Sequence, residues 1–103
     1  MDNKQVEIIV VSAHKILLDA ERKTFNLNNL VAEEEDLFSF YVSEILDVQQ
    51  KLEILIEALN DVFKRACELN LDTIPITKAV HKGEKLLINL NKEIYKEVPL
   101  NIN

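Results

Sequence analysis

Few side chains in this chain could carry imidazole or nucleophilic chemistry: His14, His81, Cys67, Ser12, Ser39 and Ser43. A histidine could act as general base, metal ligand or phosphoryl carrier. His14 directly follows Ala13 and His81 directly follows Val80, both apolar residues recurring at helical spacing. One-sided helical spacing accounts for both as edge residues of amphipathic helices. Cys67 is the only cysteine, so an intrachain disulfide or a cysteine-based zinc site is excluded. An acyl-transfer site needs a nucleophile, a base and a group that orients the base, and no segment of the sequence assembles the three. Glu44 and Asp47 share a helix face, as do Glu53 and Glu57. Helical di-iron sites add two Glu-x-x-His pairs to such carboxylates. No Glu-x-x-His occurs here, and His81–Glu84 is a single reversed pair. The lone glycine, Gly83, excludes glycine-rich phosphate cradles, which need several glycines at fixed spacing. We therefore assign no catalytic, cofactor-binding or metal-ligating residue and expect a protein that is not an enzyme.

The segment Ala13-His14-Lys15-Ile16 is similar over four residues to the Ala-His-x-Leu-Lys-Gly segment of histidine phosphotransfer domains, which are helical bundles of this size. The resemblance implies a phosphorelay role for His14. It stops at Leu17 and Leu18, which stand where that segment has Lys and Gly. No lysine is left to neutralise the phosphoryl group and no glycine to admit the receiver domain. Phosphorelay is kept only as an alternative.

Such residues as there are must sit on helices. The chain has 103 residues, 48% of them hydrophobic, which suffices for one domain spanning 1–103. In the first segment, about 3–23, Val6, Val10, Ala13, Leu17 and Ala20 recur at three- and four-residue spacing, with Ile9 and Ile16 widening the stripe. The segment Thr24-Phe25-Asn26-Leu27-Asn28-Asn29 is expected to end it, with Asn28 or Asn29 capping the next helix. The second segment, about 30–69, carries an unbroken heptad series from Tyr41 through Ile45, Val48, Leu52, Leu55, Leu59 and Val62 to Ala66 and Leu69. The third, about 74–98, opens at an Asp72 or Thr73 cap with Pro75 in its first turn and ends at Pro99. Its stripe is Ile76, Val80, Gly83, Leu87, Leu90 and Ile94. Gly83 on that stripe predicts close approach of a neighbouring helix, because a helical glycine otherwise costs up to about 1 kcal/mol.

The expected fold is all-α: an antiparallel bundle of three helices with a long central helix. A four-helix up-down bundle is the alternative if the central segment breaks near Gln49. The heptad phase passes through Asp47-Val48-Gln49-Gln50 unchanged, which favours the unbroken helix. The expected core is Val10 and Leu17 from the first helix and Leu87, Leu90 and Ile94 from the third. The second contributes Tyr41, Ile45, Val48, Leu52, Leu55, Leu59 and Val62. If the first helix covers one half of the central helix and the third covers the other, a second copy would fill the gaps, and a homodimer is expected.

The net charge is −6. Residues 1–50 hold four Lys or Arg against ten Asp or Glu, whereas residues 51–103 hold eight of each. With no basic run, direct nucleic-acid binding is disfavoured, as is an electrostatic hold on an anionic membrane. The start is unlike a signal peptide, and no stretch approaches the roughly 20 apolar residues of a membrane span. A cytoplasmic location is expected. The abundance of Lys, Asn and Ile suggests an AT-rich bacterial or phage genome.

The candidate interaction surface comprises the acidic cluster Glu33, Glu34, Glu35 and Asp36 with the apolar Phe38, Phe40, Leu46 and Ile54. Acidic residues near a helix start are also favourably placed for purely structural reasons. Leu46 and Ile54 stand away from the heptad seam, and a helix apolar on several sides is covered by something. The leading expectation is a non-catalytic protein-interaction module: an adaptor, regulator, inhibitor or chaperone-like protein. The alternatives are a phage or mobile-element inhibitor whose acidic surface mimics nucleic acid and, by size and class alone, a bacteriocin-type immunity protein.

Overall fold

The computed structural model describes residues 1–31 and 38–97, with the side chains of 1–26 and 42–92. Among these residues there are three helices and no strand: α1 (Asn3–Val31), α2 (Phe38–Glu68) and α3 (Ile74–Glu97). Local chemistry sets the ends. Asp2 and Gln5 form a reciprocal cap on α1: the Gln5 amide N–H donates to Asp2 Oδ1 at 2.9 Å, and the Asp2 N–H donates to Gln5 Oε1 at 3.0 Å. The Asp72 carboxylate accepts the Ile74 N–H at 3.1 Å, so the expected α3 cap forms.

The C-terminus of α2 closes in a Schellman motif. The Leu71 N–H donates to the Ala66 carbonyl at 2.8 Å and the Asn70 N–H to the Cys67 carbonyl at 3.1 Å. Asn70 takes the left-handed conformation this requires, with φ of 58°, and Leu71 packs back against the cluster containing Ala66. Asn70→Gly should therefore stabilise the fold by a few tenths to about 1 kcal/mol, and Asn70→Val should destabilise it by about 1–2 kcal/mol. Urea unfolding of the two variants measures both; equal midpoints would contradict the motif.

The first helix does not stop near Lys23. It continues to Val31 and takes in Asn26, Asn28 and Asn29, which were expected to break it and cap the next helix. The segment contains no Gly or Pro, each asparagine costs well under 1 kcal/mol, and the Thr24 hydroxyl donates to the Ala20 carbonyl at 2.8 Å within the helix. The second helix correspondingly begins at Phe38, not near residue 30. It passes through Gln49 without a break, and the Gln49 side-chain amide donates to Asn91 Oδ1 of α3. The four-helix alternative is thereby set aside.

The helices run up, down, up. Lys23 near the end of α1 pairs with Glu44 near the start of α2 at 2.7 Å, so these two are antiparallel. The Asp72 N–H donates to Asn3 Oδ1 at 3.3 Å, so α3 starts beside the start of α1 and runs parallel to it. Two buried clusters fill the interior. One joins Val6, Val10 and Ala13 to Leu59, Ala66, Ile76 and Ala79, and the other joins Leu17 to Ile45, Val48, Leu52 and Leu90. The molecule measures 51 × 29 × 16 Å, and its long dimension is close to the roughly 46 Å of 31 helical residues.

The expected division of the central helix between its neighbours does not occur. α1 contributes to both clusters, and so does α3, because α1 and α3 lie side by side along most of α2. The half-covered central helix from which a homodimer was inferred is therefore absent.

Candidate interaction surface

The heptad register determines what α2 buries. Ile45, Leu52 and Leu59 are at most 1% exposed, while Leu46 and Ile54, displaced around the helix, are 51% and 59% exposed. These two members of the expected surface lie outside the core, as the spacing required. Phe38 and Phe40 lie in the first turn of α2, with side chains outside the described ones. Glu33, Glu34, Glu35 and Asp36 lie outside the described residues.

Of the expected core, Val10, Leu17, Ile45, Val48, Leu52, Leu59 and Leu90 are buried. Leu55, Val62 and Leu87 are half-buried against the clusters. The side chains of Tyr41 and Ile94 fall outside the described ones. Ile16, expected to widen the α1 stripe, is 44% exposed; it sits at the rim of the α1–α2 groove with Ala20, Val48 and Leu52. Ala79 was missed and is fully buried, whereas its neighbour Val80 is half-buried. Hydrophobicity pointed to Val80, but close packing at this level selects the small side chain. Ala13, Ala66 and Gly83 are buried like it.

Of the carboxylates that the sequence pairs, Glu44 and Asp47 have structural partners. Lys23 of α1 bridges Glu44 at 2.7 Å and Asp47 at 3.7 Å, and Lys51 meets Asp47 at 3.0 Å. The hydrogen bond to Glu44 raises the Lys23 pKa above its ordinary value. The hydrogen bond from Lys51 lowers that of Asp47. Glu53, Glu57 and Asp61 of α2 face Glu84 of α3 across a groove floored by Ile56 and Leu87. This side of the bundle is acidic, with Lys64 the one cation lining the groove, and Leu46 and Ile54 project from the same helix.

His14 is half-buried and His81 exposed. Cys67 is exposed, as are Ser12 and Ser43. Among the described residues, no helix is long and apolar enough to cross a membrane, and no group of three His, Cys, Asp or Glu is placed to hold a metal ion. Comparison of the chain with family models, with curated proteins and with solved structures gives no match.

Proposed function

We propose that the chain is a non-catalytic protein-interaction module, an adaptor, regulator, inhibitor or chaperone-like protein working in the cytoplasm. The observation that supports this reading is the exposure of Leu46 and Ile54, 51% and 59%, on a helix whose opposite face is fully buried. Apolar side chains displayed on an otherwise satisfied helix are what a partner helix or groove takes up. The carboxylates of Glu53, Glu57 and Asp61 beside them suit a partner that carries cations around an apolar anchor.

Capture from the native host at modest salt tests the reading, with the eluted complex weighed by light scattering. The wild-type chain should retain one stoichiometric foreign protein, and Leu46→Glu with Ile54→Glu should reduce its capture at least tenfold, about 1.4 kcal/mol or more. Retention by the variant, or recovery of the chain alone, would overturn it. A mass of twice 11.9 kDa with no foreign protein would identify a second copy as the occupant.

A further inference from the structure

The bundle gathers cations that the sequence scatters. On α1, Ile8, Val11, Leu18 and Phe25 alternate with Lys4, Lys15 and Arg22 at three- and four-residue spacing. These positions lie on the side of the helix away from Val6, Val10, Ala13 and Leu17, and all seven are exposed. On α3 the same spacing runs through Ile74, Lys78, His81, Lys85, Ile88 and Lys92, opposite the buried Ile76, Ala79, Gly83 and Leu90. Exposed Lys82 stands on the flank of this stripe nearer α1.

The two stripes meet along the seam between α1 and α3. Phe25 and Lys92 line the same groove between α1 and α3, and Val11 shares a second with Pro75. Because α1 and α3 are parallel, the stripes run together for about 27 Å or more. None of these seven cations pairs with a carboxylate among the described residues; the ion pairs there use Lys23, Lys51 and Arg65. Among the described residues, the carboxylates lining these two grooves are Glu7 and Asp72 in one and Glu21 in the other.

We propose that the paired α1 and α3 outer stripes form a docking surface for an anionic phospholipid bilayer. Charge complementarity and side-chain type together select this occupant. Lysines seek headgroup phosphates, while the interleaved Ile, Val, Leu and Phe side chains enter the acyl boundary. Nucleic acid would match the cations but offers nothing to the interleaved apolar groups. A plane laid along the α1–α3 seam meets the flanks of the two stripes that border it, Val11, Leu18 and Phe25 of α1 with Lys78, Lys82 and Lys85 of α3. The acidic groove lies on the α2 side, and charges more than about 8 Å away are largely screened at physiological salt. The proposal is independent of the α2 reading, since it uses a different face and different residues.

Flotation of the purified full chain with lipid vesicles tests it. Vesicles of equal parts phosphatidylglycerol and phosphatidylcholine should carry the protein, pure phosphatidylcholine should not, and added salt should release it. Each near-surface lysine accounts for about a fivefold change, so Lys78→Gln, Lys85→Gln and Lys92→Gln together should weaken binding about a hundredfold. Circular dichroism checks that their helicity is kept. Glu53→Gln with Glu57→Gln should bind as wild type. In the otherwise unaltered chain, the indole of Phe25→Trp should shift to the blue on anionic vesicles and be quenched by brominated lipid. The proposal is overturned if phosphatidylglycerol vesicles fail to bind at low salt, if pure phosphatidylcholine binds equally, or if the indole stays unquenched. Preference for a DNA duplex with the same lysine dependence would reassign the face to nucleic acid.

Discussion

Leu52→Ala should lower the unfolding free energy by about 2–5 kcal/mol, the range for removing a fully buried leucine and leaving part of its cavity. Leu52 is 0% exposed and packs with Leu17, Ile45, Val48 and Leu90, residues from all three helices. In a domain of this size each kcal/mol moves the melting temperature by about 4–8 °C, so a fall on the order of 15 °C is expected in a thermal melt followed at 222 nm. Ile54, two residues further along and 59% exposed, supplies the control: Ile54→Ala should change stability by no more than about 0.5 kcal/mol. Equal losses at the two positions would mean that α2 does not sit in this register. The pair also separates two positions within one turn of helix, Leu52 in the core and Ile54 on the surface.

Gly83→Leu should cost about 1–3 kcal/mol through overpacking. A Cβ at Gly83 would already stand 3.1 Å from Ile56 Cγ1 and 3.5 Å from Leu17 Cδ2, and the remaining leucine carbons have no space between three helices. Gly83→Ala is a different case. Alanine gains up to about 1 kcal/mol in helix propensity, while Ile56, half-buried at the groove floor, must yield by a few tenths of an ångström. The two effects oppose each other, and a net change within about 1 kcal/mol of zero is expected. Urea denaturation of both variants gives the comparison. A leucine variant as stable as wild type would show that α2 and α1 do not close on α3 at this point.

How much of the candidate surface could be read in advance differs residue by residue. Leu46 and Ile54 were legible because the heptad phase of α2 is unbroken, and period alone places a residue on or off a seam. The length of α1 was not legible. Asparagines in 26–29 look like an ending, but their propensity cost is small and tertiary packing decides whether it is met. That misreading shortened α1 and lengthened α2, and from it came the half-covered central helix. Ala79 escaped for a related reason. Its burial follows from how closely the helices approach, which side-chain hydrophobicity does not encode.

The amino-acid order by itself determined that the chain is helical, that there are three helices, where α3 begins, and that Gly83 marks a close approach. Each of these follows from interactions within a few residues or from a single periodicity. Only the tertiary structure decided which helix flanks which, and so how charge is distributed. Summed along the chain, residues 51–103 are neutral and residues 1–50 acidic, and the lack of a basic run argued against nucleic acid and an anionic membrane. Folded, α3 turns Lys78, Lys82, Lys85 and Lys92 outward beside Lys15 and Arg22 of α1, while Glu84 faces Glu53, Glu57 and Asp61 of α2. Surface charge depends on helix rotation and neighbourhood, quantities set by the packing of all three apolar stripes together.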